Sequence, residues 1–121
     1  TLSGNPLATA AGLAVLRRLG DPQLYLELER RAARLADGLA PFGTVQRVGA
    51  MLTLFAADWP VRNFDDAQRA ATDRYAALFR HLLARGIYIA PSQFECLFPS
   101  LAHGDEEIDR TIEAVGEFFD A

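Results

Sequence analysis

The apolar positions of this chain fall into helical faces separated by short strand-forming runs. Tyr25, Leu28, Ala32, Leu35 and Leu39 follow one another at spacings of 3, 4, 3 and 4, one face of an amphipathic helix. Glu29, Arg30, Arg34 and Asp37 fall opposite and read as a solvated surface. Asp21-Pro22 starts this helix, with Asp capping free N–H groups and Pro in the first turn, and Pro41 and Gly43 end it. Asn5-Pro6 starts an earlier helix by the same logic, rich in small residues (Ala8, Ala10, Ala11, Gly12, Ala14) and stopped by Gly20. Small residues allow close approach of another backbone, either in ordinary packing or at a domain or subunit junction.

Residues 44–56 change character. Val45, Val48, Leu52, Thr53, Leu54 and Phe55 are strand formers, and Gly49 between them marks a hairpin, bulge or bend. After a loop at Asp58-Trp59-Pro60, a third helix is predicted over Asp65–Arg85 with Ala71, Tyr75, Leu78 and Leu82 on its apolar face, closed by Gly86 as a left-handed cap. Ile87-Tyr88-Ile89 reads as a short buried strand, Pro91–Glu95 as a loop, and Leu97-Phe98 as another strand. Gly104-Asp105 starts the last helix, with Glu106 and Glu107 in the turn that the helix dipole favours for acids and Ile108, Ile112, Val115 and Phe119 on its buried face. The predicted class is α+β: a small, largely antiparallel sheet with helices packed on one face.

Charge and composition narrow the partners. The 121 residues carry 16 acidic and 12 basic side chains, interspersed, which argues against a nucleic-acid surface. All the basic residues other than histidine are arginine, and the chain contains no lysine. The single cysteine, Cys96, excludes an internal disulfide and fits a reducing compartment such as the cytoplasm. Residues 1–16 are uncharged but shorter than the roughly 20 residues a membrane span needs, and Gly4, Asn5 and Pro6 interrupt them. The chain opens at Thr1 and runs straight into a helix start, as a stretch taken from a longer polypeptide would. The expected organisation is a linking helix over residues 1–20 and a small α+β domain over 21–121.

Few residues carry chemistry of their own. His81 lies within a helix with no second ligand at i+3 or i+4, so no metal site is expected. His103, just before the last helix, reads as a residue that shapes its loop. Ser92, Ser100 and Cys96 have no evident base beside them. Thr1 and Ser3 precede a helix start, where hydroxyls either cap the helix or contact an anion. Glu95 is the one charge between Gly86 and Ala102; it either reaches solvent at a loop edge or faces a polar pocket.

Thr1-Leu2-Ser3-Gly4-Asn5-Pro6 resembles a motif of the class III, fold-type I aminotransferases, which use pyridoxal 5′-phosphate. Four further blocks resemble glutamate-1-semialdehyde 2,1-aminomutases within that class: Arg85–Glu95, Ser100–His103, Val48–Phe55, and Pro60–Phe64 with Asp66-Ala67. The resemblance covers essentially the whole chain, in order. Thr9, Pro99 and Gly104 depart from the family's usual Met, Val and Thr, and Pro99 removes a strand donor.

The resemblance implies the C-terminal domain of a homodimeric enzyme that isomerises a small amino-aldehyde to 5-aminolevulinate, the tetrapyrrole precursor. It implies that Thr1 binds the cofactor phosphate of the neighbouring subunit and that Glu95 lies near the substrate at the active-site entrance. The family also needs a lysine that holds the cofactor covalently. This chain has none, so that lysine and most of the cofactor pocket are expected upstream, and the chain alone is expected to be inactive. Two alternatives stay open: the same domain of another class III ω-aminotransferase or related racemase, and a stand-alone α+β interaction module.

Overall fold

The computed structural model describes residues 3–120. Helix α1 spans Pro6–Leu19 and α2 Pro22–Leu39, followed by a 3-10 turn at Ala40–Phe42. Strands β1 (Thr44–Val48) and β2 (Met51–Phe55) form an antiparallel hairpin in which Thr44 faces Phe55 and Val48 faces Met51. Then come the short α3 (Phe64–Gln68), α4 (Thr72–Ala84) and α5 (Asp105–Asp120).

Local chemistry sets most boundaries. The Asn5 side chain accepts from the N–H groups of Leu7 and Ala8 at 3.0 and 3.2 Å, and Asp21 accepts from Gln23 N–H at 2.9 Å. Each cap satisfies donors that a helix start leaves free. The hairpin turns at Gly49-Ala50, and Gly86 closes α4 in the left-handed region at φ 77°. Glu107 reaches back to the Gly104 N–H at 2.8 Å, a self-made cap for α5 that replaces the side chain glycine lacks.

The main core lies between β2 and helices α2, α4 and α5. Leu35 and Leu39 of α2, Leu52 and Leu54 of β2, Leu78 and Leu82 of α4, and Ile108 and Val115 of α5 form one buried cluster. Burial of each large apolar side chain contributes about 1.5–3 kcal/mol. Alternation along β2 turns Thr53 and Phe55 to the opposite face. There Phe55 packs with Val61, Ala67 and Ala70 in a second, smaller cluster. The α+β layer with long helices on one face is therefore present.

The structure departs from several expectations. The predicted helix over Asp65–Arg85 is two helices. It starts at Phe64, where Asn63 caps the Asp66 N–H at 2.9 Å, and breaks after Gln68. Tertiary bonds stabilise the break: the Ala71 N–H donates to Ala56 O at 3.1 Å, and Ala70 O accepts from Gln93. Ala71 is consequently exposed rather than part of the apolar face.

Ile87-Tyr88-Ile89 is not a strand; the Ile87 N–H is spent on Leu82 O, closing the end of α4. Of the Leu97-Phe98 strand only one bridge forms, in which Leu97 and Leu52 exchange both backbone bonds, at 2.7 and 3.2 Å. Pro91 and Pro99 flank this region without donors, which keeps the ladder from extending.

Tyr25 is exposed, because the first turns of α2 run beyond the core. Ile112 and Phe119 are half-buried. The polar face of α2 is partly engaged: Arg34 pairs with Asp105 and Asp109 of α5 at 3.0 and 2.7 Å. Helix α1 contributes no buried residue, and Leu7, Leu13, Val15 and Leu16 stand exposed on it.

Candidate functional site

The loop from Ala90 to Leu97 is held at four points by residues from three parts of the fold. At its start, the Tyr75 hydroxyl of α4 donates to Ala90 O at 2.8 Å. Tyr75 is 3% exposed. Burial, together with the negative charge of Glu95, pushes its phenol up to about 12, so it remains a donor across the physiological range.

In the middle of the loop the Gln93 side chain turns inward, 2% exposed, and its amide nitrogen lies 3.4 Å from Ala70 O in the α3–α4 joint. Its amide oxygen is buried with no hydrogen-bond partner among the described residues. A buried polar atom left unpaired costs about 1–3 kcal/mol, so the fold bears a cost to keep this side chain inside. At the end of the loop Thr53 Oγ1, on the second face of β2, lies 3.2 Å from Glu95 O and donates to it. The Leu52–Leu97 bridge closes the segment. Within the loop, Glu95 N–H bonds Ser92 O at 3.1 Å and Phe94 N–H bonds Ser92 Oγ at 3.2 Å.

Glu95 itself is exposed, and its carboxylate makes no hydrogen bond or ion pair among the described residues. Of the two environments open from sequence, this is the solvent-facing one. Beside it the exposed rings of Phe94 and Phe64 meet at 6.0 Å between centroids. The site is thus a negative charge on a backbone tied down from several sides, next to an aromatic pair. Such a group suits a primary ammonium or another hydrogen-bond donor brought to it from outside.

The other described candidates separate from it. Thr1 lies outside the described residues; Ser3 is exposed in the turn ahead of α1. His81 joins α4 to α5: its Nε2 lies 3.0 Å from Ala114 O, and its Nδ1 lies 3.2 Å from an Arg85 guanidinium nitrogen. With Nε2 donating to the carbonyl, Nδ1 accepts from Arg85. His103 Nδ1 accepts the Ser100 N–H at 2.9 Å and closes the Ser100–Gly104 loop, the shaping role expected of it. No group of three potential metal ligands occurs among the described residues. No described helix is long and apolar enough to cross a membrane.

A cavity of about 380 Å³ opens between residues 86–90, residues 96–99 and α5. Ile87, Ile89, Leu97 and Phe98 line it, with Arg110 and His103 among its polar groups. Arg110 is already committed to Arg85 O at 2.5 Å. The cavity marks the place where the two predicted strands fail to pair, and Glu95 is not part of its wall.

Sequence reasoning missed Tyr75, Gln93 and Thr53 as polar anchors. Tyr75 and Thr53 sit in apolar patterns that account for their burial without their hydroxyls. Gln93 alone carried a signal, being an amide between Pro91 and Phe94 in a stretch with little polar company.

No family model matches the chain. Solved structures do. An ω-transaminase from Sphaerobacter thermophilus superposes with a TM-score of 0.80 at 20% identity, over 99% of this chain and 29% of its own. A β-phenylalanine aminotransferase from Variovorax paradoxus superposes with a TM-score of 0.65 at 28% identity, over 81% of this chain and 23% of its own. A transaminase with PLP bound gives 0.67 at 23% identity, over 96% of this chain and 28% of its own. The fold is accordingly the small α+β layer of the fold-type I pyridoxal-phosphate transaminases.

The chain's sequence is similar to those of the glutamate-1-semialdehyde 2,1-aminomutases. It is 50% identical to one from Brevibacillus brevis over 94% of this chain and 28% of that protein. It is 49% identical to one from Deinococcus radiodurans over 99% of this chain and 30% of that protein. The chain therefore spans less than a third of the length of the curated relatives it matches.

Proposed function

We propose that this chain is the C-terminal part of a cytoplasmic, homodimeric, pyridoxal-phosphate-dependent glutamate-1-semialdehyde 2,1-aminomutase that makes 5-aminolevulinate. In this reading residues 1–20 link to a large domain and residues 21–121 form the small one. The observation that carries it is identity near one half, across nearly the whole chain, to aminomutases from separate bacteria. Identity to the β-phenylalanine aminotransferase is 28%, which leaves the ω-aminotransferase alternative with the weaker support. The exposed apolar face of α1 suits a helix that packs against further protein.

The described residues do not by themselves fit pyridoxal 5′-phosphate. The chain has no lysine to bind its aldehyde, so no chemical step is assigned to these residues. Their part in the reading is to bind and orient. Thr1 contributes a hydroxyl to the cofactor phosphate across the subunit boundary, and Glu95 accepts hydrogen bonds from the substrate's amino groups at the entrance.

The test is turnover of the full-length protein on glutamate-1-semialdehyde, with and without an external amino donor. Formation of 5-aminolevulinate with no donor present is the expected result. Activity that requires a donor and an acceptor would favour the ω-aminotransferase instead.

A further inference from the structure

We infer that Thr53 and Tyr75 are positioning residues for Glu95, pinning the Ala90–Glu95 backbone so that an unpaired carboxylate is presented to an incoming ammonium group. The inference rests on the reading of Glu95 as a substrate-orienting residue. An exposed carboxylate on an untethered loop samples many positions and binds an amine weakly; fixing its backbone beforehand removes that loss.

The geometry carries this further than ordinary loop packing. The Thr53 hydroxyl bonds the carbonyl of Glu95 itself, from a strand that is buried from Leu52 to Phe55. The Tyr75 hydroxyl bonds Ala90 O from the buried face of α4, five residues before Glu95. Between them, Gln93 is kept inside with its amide oxygen unpaired among the described residues. The backbone is thus held from the sheet, from a long helix and from the α3–α4 joint, while the Glu95 side chain stays outside and without a partner among the described residues. A loop that served only to cover the core would have no need of three buried polar anchors around one exposed charge.

The experiment uses the full-length protein and compares kcat/KM on glutamate-1-semialdehyde across Glu95→Gln, Thr53→Val, Thr53→Ser, Tyr75→Phe and the Glu95→Gln/Thr53→Val pair. Thr53→Val keeps the shape and removes the donor, whereas Thr53→Ser keeps the donor. The expected result is a loss of about fivefold or more in Thr53→Val and Tyr75→Phe, with Thr53→Ser within about twofold of the parent. The double variant is expected to be no worse than Glu95→Gln alone, since a carboxylate that is gone can no longer be mispositioned.

Losses that multiply in the double variant, or a Thr53→Ser as impaired as Thr53→Val, overturn the inference. So does full activity of both Thr53→Val and Tyr75→Phe beside an impaired Glu95→Gln, while leaving the role of Glu95 standing. A fully active Glu95→Gln overturns the role of Glu95 and this inference with it. If Thr53→Val does not fold, Tyr75→Phe and its pairing with Glu95→Gln decide by the same criteria.

Discussion

Tyr75 links the stability of this domain to alkaline pH in a way that one substitution isolates. Its phenol is 3% exposed, donates to Ala90 O, and is raised to about 12 by burial and by the nearby charge of Glu95. In the unfolded chain it titrates near 10. The folded state holds this proton more tightly, so the contribution is fully present below pH ~10 and is lost as pH rises through about 12. A difference of about two units at 1.36 kcal/mol each sets the loss at no more than about 2.7 kcal/mol.

Tyr75→Phe removes this titration and the hydrogen bond together. The variant should be less stable at pH 8 by about 0.5–1.5 kcal/mol, the net value of one such bond. It should also lose less stability than the parent between pH 9.5 and 12, so the two curves converge. Urea midpoints of both proteins across that range measure the effect, and phenolate absorbance identifies the late-titrating group. Parallel stability curves, or the same phenolate titration in parent and variant, would refute the reasoning.

Two further perturbations test other parts of the fold. Glu27 accepts from Arg30 at 2.9 Å and from Arg31 at 2.7 Å; those hydrogen bonds lower its carboxyl to about 2, so its contribution is present above pH ~4.5 and fades as pH falls toward 2, and thermal midpoints of Glu27→Gln should lack that acid-limb slope. Leu78, 1% exposed in the main cluster, should cost about 2–5 kcal/mol on replacement by Ala, read as a lower urea midpoint at unchanged slope.

What the sequence disclosed depended on how local the cause was. Asn5-Pro6, Asp21-Pro22 and Gly104-Asp105 begin helices through their own capping chemistry, and all three starts stand where that chemistry puts them. The hairpin at Gly49 is equally local. The break at Arg69–Ala71 is not: it depends on Ala56 and Gln93, which lie 15 residues before and 22 residues after Ala71 and leave no mark on the helical periodicity.

Ile87–Ile89 has strand-forming side chains, but pairing also needs a partner edge with free donors, and propensity does not report that. The same division runs through the candidate site. The isolation of Glu95 in an uncharged stretch was visible from its neighbours in sequence. Its anchoring was not, because Thr53 and Tyr75 come from residues 42 and 20 positions upstream and each looks like ordinary core.

In the proposed function the protein containing this chain isomerises an amino-aldehyde without net exchange of nitrogen. The most direct measurement gives the full-length protein glutamate-1-semialdehyde labelled with 15N, together with excess unlabelled amino donor, and follows the label by mass spectrometry. The account predicts that 5-aminolevulinate accumulated over many turnovers retains the label. Product nitrogen diluted toward that of the added donor, or no product until a donor is supplied, would contradict it.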